Sequence, residues 1–210
     1  MDADDTTRRA NQLWFDSGAW QRTTWMGWPV VKCPTDLWAY QELIVATRPD
    51  VIIETGSWVG GSALFFAHML DLVGHGRVIS VDVQRVDGRP EHPRITWVLG
   101  DSADPATVAR VHDLAAGGAA LVVLDASHRA AHVLAELRGY ADLVPPGGCL
   151  VVEDTAFDGW PVWPGFGDGP AAAVAAFLAE RHDFVVDPEP TRHLLTLAPG
   201  GFLRRVAARG

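Results

Sequence analysis

Three acidic side chains and one histidine stand where they could do chemistry together. Asp125 ends one apolar run, the pair Glu153-Asp154 ends the next, and His128 follows Asp125 by three residues. Closely packed carboxylates raise one another's pKa values unless a cation compensates. Oxygen ligands favour a hard ion, so Asp125, Glu153 and Asp154 predict a Mg²⁺ site, with Mn²⁺ or Ca²⁺ as alternatives. Chance clustering of acids at solvated strand ends is the competing interpretation.

His128 is a candidate general base, because imidazole titrates near neutral pH. Its spacing from Asp125, at the expected start of a helix, would let both side chains face one pocket. A lone histidine is more often structural, and the sequence leaves that alternative open.

A second group of residues surrounds a glycine-containing turn. Glu54 leads into T-G-S-W-V-G-G-S, where Gly56 permits a tight turn and Ser62 opens a helix with free N–H groups. Trp58 stands where a dinucleotide-binding turn would have its second glycine, so a nicotinamide cofactor is a poor match. A carboxylate at position 54 suits a cationic amino group better than a phosphate.

Further polar residues extend this second group. Asp82 ends the next apolar run, where a carboxylate can accept hydrogen bonds from both ribose hydroxyls. Asp101 and Ser102 close the third run and could frame an adenine. The alternatives are a turn or cap role for Asp82 and, for Asp101-Ser102, a cap for the helix that opens at Asp104-Pro105.

These residues must be positioned by short apolar runs that alternate with helical patterns. Continuously apolar, β-branched runs are typical of strands buried on both faces of a parallel sheet, and their alternation with helices predicts a doubly wound α/β fold. Such sheets bind ligands beyond the carboxyl ends of their strands. The predicted strands are Asp50–Glu54, Arg77–Asp82, Arg94–Gly100, Ala119–Asp125 and Gly148–Asp154, and the predicted helices lie near 60–73, 104–116 and 129–143.

The flanking segments differ from this alternating region, which we assign to one domain over 50–210. Residues 1–49 hold five of the nine tryptophans, and we interpret them as a cap segment, with extra core as the alternative. The aromatic segments 14–28 and 157–166 could keep water from a site. After residue 168 we expect a helix, and then strands near 184–188 and 193–199 as an antiparallel hairpin at the sheet edge.

Charge and hydropathy argue against nucleic acids and membranes as partners. The formal net charge is −9 and the sequence has no basic stripe, which argues against nucleic-acid binding. No apolar run approaches the ~20 residues of a membrane span. The polar start and the two cysteines, Cys33 and Cys149, predict a cytoplasmic protein with free thiols.

Several motifs in order resemble the cephalosporin hydroxylase family, which has the Rossmann-like class I methyltransferase fold. They are K-C-P-T-D-L-W (32–38), R-P-D-V-I-I-E-T-G (48–56), G-R-V-I-S-V-D (76–82), L-D-A-S-H (124–128) and V-V-E-D-T (151–155). The likeness runs from Trp25 to Arg205. The acidic pattern is also similar to that of macrolide-sugar O-methyltransferases.

This resemblance implies an enzyme of antibiotic or related small-molecule biosynthesis that uses S-adenosylmethionine. It implies that Asp125, Glu153 and Asp154 hold the metal, that His128 is the base, and that Glu54, Gly56, Asp82 and Ser102 contact the cofactor. The reaction expected is metal-assisted methyl transfer to a hydroxyl of a small molecule. An oxidative or accessory role is the alternative, and the acceptor and a homo-oligomeric state are left open.

Overall fold

The computed structural model describes residues 3–207, over which the chain forms six α-helices and nine strands. The helices are α1 (Ala3–Asp16), α2 (Pro34–Thr47), α3 (Gly61–Val73), α4 (Pro105–Ala115), α5 (Ala130–Tyr140) and α6 (Pro170–Glu180). The strands are β1 (Thr24–Trp25), β2 (Trp28–Pro29), β3 (Val51–Thr55), β4 (Arg77–Asp82), β5 (Ile95–Leu99), β6 (Ala120–Leu124), β7 (Cys149–Val152), β8 (Phe184–Val186) and β9 (Phe202–Arg205).

Seven of these strands form one twisted layer in the order β5-β4-β3-β6-β7-β9-β8. Neighbours from β5 to β7 pair in parallel, and β9 runs antiparallel to both β7 and β8. The predicted mostly parallel α/β sheet is therefore confirmed. The strand order reverses direction at β3 and β6, and this is where open α/β sheets bind ligands.

The two faces of the sheet bury separate apolar clusters. On one face, Val51, Ile53 and Val122 pack with α4, α5 and α6; on the other, Ile52, Val78 and Leu121 pack with α2 and α3. Both faces are covered, which explains why the strand sequences are apolar throughout rather than alternating.

The N-terminal segment contributes to one of these clusters. Tyr40 and Ile44 on α2 are fully buried and share a cluster with Phe66 of α3 and Phe202 of β9. The alternative interpretation, that the N-terminal segment adds to the hydrophobic core, therefore holds for α2. Phe15 and Trp20 lie near the carboxyl ends of the strands, as expected of a cap. The division of the chain at residue 49 stays a prediction.

The predicted strand at 193–199 is wrong, since these residues form turns and bends and the last strand is β9. Backbone groups of this segment pair with side chains of the N-terminal helices. The N–H of Thr196 donates to Asn11 Oδ1 at 3.0 Å, and the N–H of Leu197 donates to Asp36 Oδ2 at 3.0 Å. These long-range partners outweigh the local β propensity of H-L-L-T-L-A-P. None of the helices in the described part of the chain is long and apolar enough to span a membrane.

Candidate active site

A cavity of about 470 Å³ opens at the carboxyl ends of the central strands. Two groups of polar or turn residues line it. We call Asp125, His128 and Asp154 the acid end, and Gly56, Asp82 and Ser102 the turn end. A cavity of this volume is typical of small-molecule sites.

The turn between β3 and α3 depends on its glycines. Gly56 has φ +83°, and a Cβ there would lie 2.1 Å from the backbone oxygen of Asp125. A Cβ at Gly61 would lie 2.0 Å from the backbone oxygen of Pro29. Glycine is therefore required at both positions, because the backbone packs directly against neighbouring segments. Ser62 follows in the first turn of α3 and lines the cavity.

Asp82 is held by the backbone at the end of β4. Its Oδ2 accepts a hydrogen bond from the N–H of Trp58 at 2.7 Å, and its Oδ1 accepts one from the N–H of Gln84 at 2.8 Å. Arg89 stands 3.4 Å from Oδ2. A carboxylate oxygen has two lone pairs, so both oxygens keep capacity to accept hydrogen bonds from a ligand.

Glu54 is fully buried and reaches the cavity only through other side chains. Ser80 Oγ donates to Glu54 Oε2, and Ser80 Oγ lies 2.6 Å from Ser57 Oγ, which lines the cavity. Within the described chain, Glu54 Oε1 has no hydrogen-bond partner. Burial raises the pKa of Glu54, and Lys32 partly opposes that shift.

Ser102 lies in the turn after β5 and is nearly buried. Its hydroxyl donates to Glu136 Oε1 at 2.6 Å, and His132 Nε2 lies 3.2 Å from its Oγ. Asp101 is exposed and accepts a hydrogen bond from the N–H of Ala103. The N-cap of α4 is Asp104. The alternative interpretation of Asp101-Ser102 as the cap of this helix is therefore wrong.

At the acid end, Asp125, His128 and Asp154 each offer one atom that could bind a metal ion. These three atoms lie within 4.8 Å of one another. His128 Nε2 is 3.4 Å from Asp154 Oδ2. His128 precedes α5 and stands in the loop, not on the helix expected there. The edge of the Phe157 ring packs against the His128 ring at a centroid distance of 5.2 Å.

Asp154 adopts a left-handed backbone conformation with φ +56°, a conformation that Asp tolerates better than most residues. Burial, followed by the charges of Asp125 and Glu153, raises the pKa of Asp154 well above its usual range. Like charges at this end therefore oppose one another, as the sequence predicted for closely packed acids.

Glu153 shares the location of these acids but has other partners. Lys32 Nζ donates to Glu153 Oε1 and to Asp125 Oδ2, each at 2.8 Å, and the Tyr40 hydroxyl donates to Glu153 Oε1. Lys32 is 2% exposed. Burial lowers the pKa of Lys32, but the two carboxylates outweigh this and hold that pKa well above its usual value. Lys32 is thus a permanent buried cation beneath the acid end.

Aromatic side chains form a wall of the cavity. Phe15 stacks on Trp20 at 5.6 Å, and Phe157 packs edge-on against Phe15 and Trp163. The segments 14–28 and 157–166, chosen from the sequence for their aromatic content, therefore contribute rings beside His128.

Sequence reasoning missed Lys32, Tyr40, His132 and Glu136. Lys32 carried a usable signal, because it is the only lysine of a sequence whose other strong bases are arginines. The other three carry no such signal, since nothing local shows that Tyr40 meets Glu153 or that Glu136 meets Ser102.

Comparison with known proteins identifies the family. Residues 17–206 match the model of the family described as Rhamnosyl O-methyltransferase/CmcI. The chain is 34% identical to the rhamnosyl O-methyltransferase of Mycobacterium leprae (strain TN), over 96% of this chain and 91% of that one. It is 35% identical to the rhamnosyl O-methyltransferase of Mycobacterium tuberculosis (strain H37Rv), over 97% and 86%.

A solved Mg–SAM structure of CmcI superposes with a TM-score of 0.69 at 25% identity, covering 89% of this chain and 78% of that one. The resemblance drawn from the motifs is confirmed at the level of the family model and of the methyltransferase fold. This chain belongs to the rhamnosyl O-methyltransferase/CmcI family and is a methyltransferase.

Proposed function

We propose that this enzyme transfers the methyl group of S-adenosylmethionine to a hydroxyl of a rhamnosyl or related sugar, with Mg²⁺ at the acid end. The observation that carries the proposal is that one cavity joins the acid end to the turn end. The sugar class follows from the relatives of this chain, which are rhamnosyl O-methyltransferases at 34–35% identity.

The turn end fits S-adenosylmethionine. Asp82 keeps acceptor capacity for ribose hydroxyls, Gly56 makes the tight turn that lines the cavity, and Ser62 and Ser102 add polar groups along the wall. Glu54 would act indirectly by holding Ser80 and Ser57, and Asp101 would reach the ligand from its exposed position. The strand order supports this arrangement, since β4 with Asp82 lies between β3 and β5.

The acid end fits a divalent ion. Asp125 and Asp154 are oxygen donors, and the raised pKa of Asp154 marks a site where added positive charge would be favourable. Glu153 remains a proposed ligand, but it would have to share its carboxylate with Lys32 and Tyr40. His128 lies in the same donor group, and we assign it the base role, because a ring nitrogen bound to a cation cannot also accept a proton.

The chemistry then divides between the groups. Bound S-adenosylmethionine supplies an electrophilic methyl group, and a bound divalent ion lowers the pKa of an acceptor hydroxyl. His128 Nε2 accepts the hydroxyl proton, and the Phe157 ring keeps the imidazole in place. Phe15, Trp20 and Trp163 exclude water from the side of the cavity next to His128.

An oxygenase of the two-His-one-carboxylate type is not supported. Among residues 3–207, the donor group at the acid end holds one histidine and two carboxylates.

Methyl transfer should be tested with a panel of acceptors. The purified enzyme would be incubated with S-adenosylmethionine, Mg²⁺ and either methyl α-L-rhamnoside, methyl α-D-glucoside or catechol, and products identified by mass spectrometry. We expect a methylated rhamnoside and little product from catechol. Methylation of catechol alone would contradict the sugar assignment, and no product from any acceptor, together with no binding of S-adenosylhomocysteine, would contradict the proposal as a whole.

A further inference from the structure

A buried polar cluster at the turn end is not explained by methyl transfer itself. Glu136 on α5 is fully buried, and within the described chain its Oε2 has no hydrogen-bond partner. Its Oε1 accepts the Ser102 hydroxyl at 2.6 Å and lies 3.6 Å from His132 Nε2. A buried carboxylate with an unused oxygen is costly, and such costs are typically retained where the group serves a function.

The directions of these hydrogen bonds determine what Ser102 can offer a ligand. A serine hydroxyl has one proton to donate, and an ionised carboxylate can only accept. The Ser102 proton is therefore committed to Glu136. His132 Nε2 faces Ser102 Oγ at 3.2 Å, and because the Ser102 proton is already given to Glu136, this nitrogen can bond Ser102 only as a donor; the nearby Glu136 carboxylate raises the pKa of His132 and so favours that form. With its proton used, Ser102 Oγ can only accept a hydrogen bond from the cavity side.

The position of Ser102 indicates which part of the ligand meets this acceptor. Asp82 ends β4 and Ser102 follows β5, the next strand outward in the sheet, and both residues line the cavity. If Asp82 holds the ribose, a base attached to that ribose extends toward Ser102. Tyr140 strengthens the arrangement, since its hydroxyl donates to the backbone oxygen of Ser102 at 2.7 Å.

We propose that Glu136 and His132 are positioning residues that hold the Ser102 hydroxyl as a hydrogen-bond acceptor, and so select a 6-amino purine over a 6-oxo purine. This inference rests on the proposed function, because it assigns the base of the proposed cofactor to this end. The 6-amino group of adenine is a donor and matches the acceptor. The 6-oxo group of hypoxanthine is an acceptor and would leave two acceptors facing each other, which disfavours binding.

The test compares two ligands that differ in this group. Calorimetry would measure binding of S-adenosylhomocysteine and of S-inosylhomocysteine to the wild type, Glu136→Gln and Ser102→Ala. The wild type should prefer the adenosyl ligand by at least about 30-fold, since a site built to hydrogen-bond a group rejects an analogue that lacks it. In Glu136→Gln the amide can donate to Ser102, which frees the serine proton for a 6-oxo group, so the preference should fall about tenfold.

Ser102→Ala should lower the same preference, because it removes the acceptor, and this variant decides the matter if Glu136→Gln does not fold. Glu180→Gln is the matched control, since Glu180 is exposed on α6 in an ion pair with Arg138, and its preference should equal that of the wild type.

Equal binding of both ligands by the wild type would overturn the inference while leaving the proposed function standing. Loss of affinity for both ligands by one factor in Glu136→Gln and Ser102→Ala would show a structural role and would also overturn it. Binding of neither ligand by the wild type would overturn the proposed function as well.

Discussion

The two ends of the cavity stabilise their carboxylates in different ways. At the turn end, backbone N–H groups donate to both oxygens of Asp82, with Arg89 3.4 Å from one of them, and Ser80 donates to one oxygen of the buried Glu54 nearby. At the acid end, Asp125 and Glu153 share the ammonium of Lys32, while Asp154 has His128 near it and a raised pKa. Backbone N–H donors leave a carboxylate with a fixed direction and spare lone pairs, which suits the recognition of hydroxyls. Crowded charge suits a site that accepts a cation.

The difference also separates binding from chemistry. Changes at the turn end should alter affinity for the cofactor, whereas changes at the acid end should alter metal binding or turnover with little effect on that affinity. Four substitutions probe the contrast between the two ends, and the most damaging comes first.

Lys32→Met should destabilise the protein most. Removing one partner of a buried ion pair leaves uncompensated charge, and this costs about 3–5 kcal/mol of unfolding free energy. Chemical denaturation followed by circular dichroism measures the loss. The double variant Lys32→Met/Glu153→Gln should recover part of it, because one of the stranded charges is neutralised. Arg138→Met is the control, since its ion pair with Glu180 is exposed and exposed pairs contribute little to stability. A loss below about 1 kcal/mol in Lys32→Met would show that the buried cation is dispensable.

His128→Ala should lower kcat by roughly 10²–10⁴-fold, the usual contribution of a general base. Affinity for S-adenosylhomocysteine and for Mg²⁺ should change little if His128 accepts the proton and does not hold the ion. Steady-state kinetics and calorimetry measure these effects, with His182→Ala as the exposed control. Turnover within about threefold of the wild type would make His128 structural, and a large loss of Mg²⁺ affinity would make it a ligand.

Asp154→Asn should weaken Mg²⁺ binding by more than the 10–100-fold that loss of a group supporting a ligand typically costs. Asparagine keeps the shape and tolerates the left-handed backbone at this position, so the fold should persist. Titration calorimetry with Mg²⁺ measures the affinity, and Asp113→Asn, on the exposed surface of α4, serves as the control. Unchanged Mg²⁺ affinity would place the ion elsewhere.

Asp82→Ala should weaken cofactor binding by about 1–3 kcal/mol, or roughly 5- to 150-fold, because hydrogen bonds to a charged group are lost. Mg²⁺ affinity should be unaffected, which is the opposite of the result for Asp154→Asn. Asp87→Ala provides the control, since Asp87 lies in the same loop with its side chain 91% exposed. A variant that binds S-adenosylhomocysteine like the wild type would remove Asp82 from the cofactor site.

The parallel part of the fold could be predicted from sequence because each strand is an uninterrupted apolar run that ends at a polar residue. Asp82, Asp125 and Glu153-Asp154 were found in this way, since strand ends are local features. The strand at 193–199 was misplaced because its backbone pairs with Asn11 and Asp36, which are more than 150 residues away in the chain. The partners of Glu153 and Ser102 could not be predicted either, because they too are distant in the sequence. Tertiary contacts decide how these polar side chains are held. Lys32 and Tyr40 donate to Glu153, and Glu136 accepts from Ser102.

We propose that the acid end needs a divalent ion for methyl transfer, whereas the turn end binds the cofactor without one. A single-turnover reaction with S-adenosylmethionine carrying a labelled methyl group and methyl α-L-rhamnoside tests it, in Mg²⁺ and in excess EDTA, with cofactor occupancy measured in the same samples. We expect a labelled sugar in Mg²⁺, and in EDTA an occupied cofactor site without transfer. Full transfer in EDTA, by protein shown by elemental analysis to retain no metal, would contradict it.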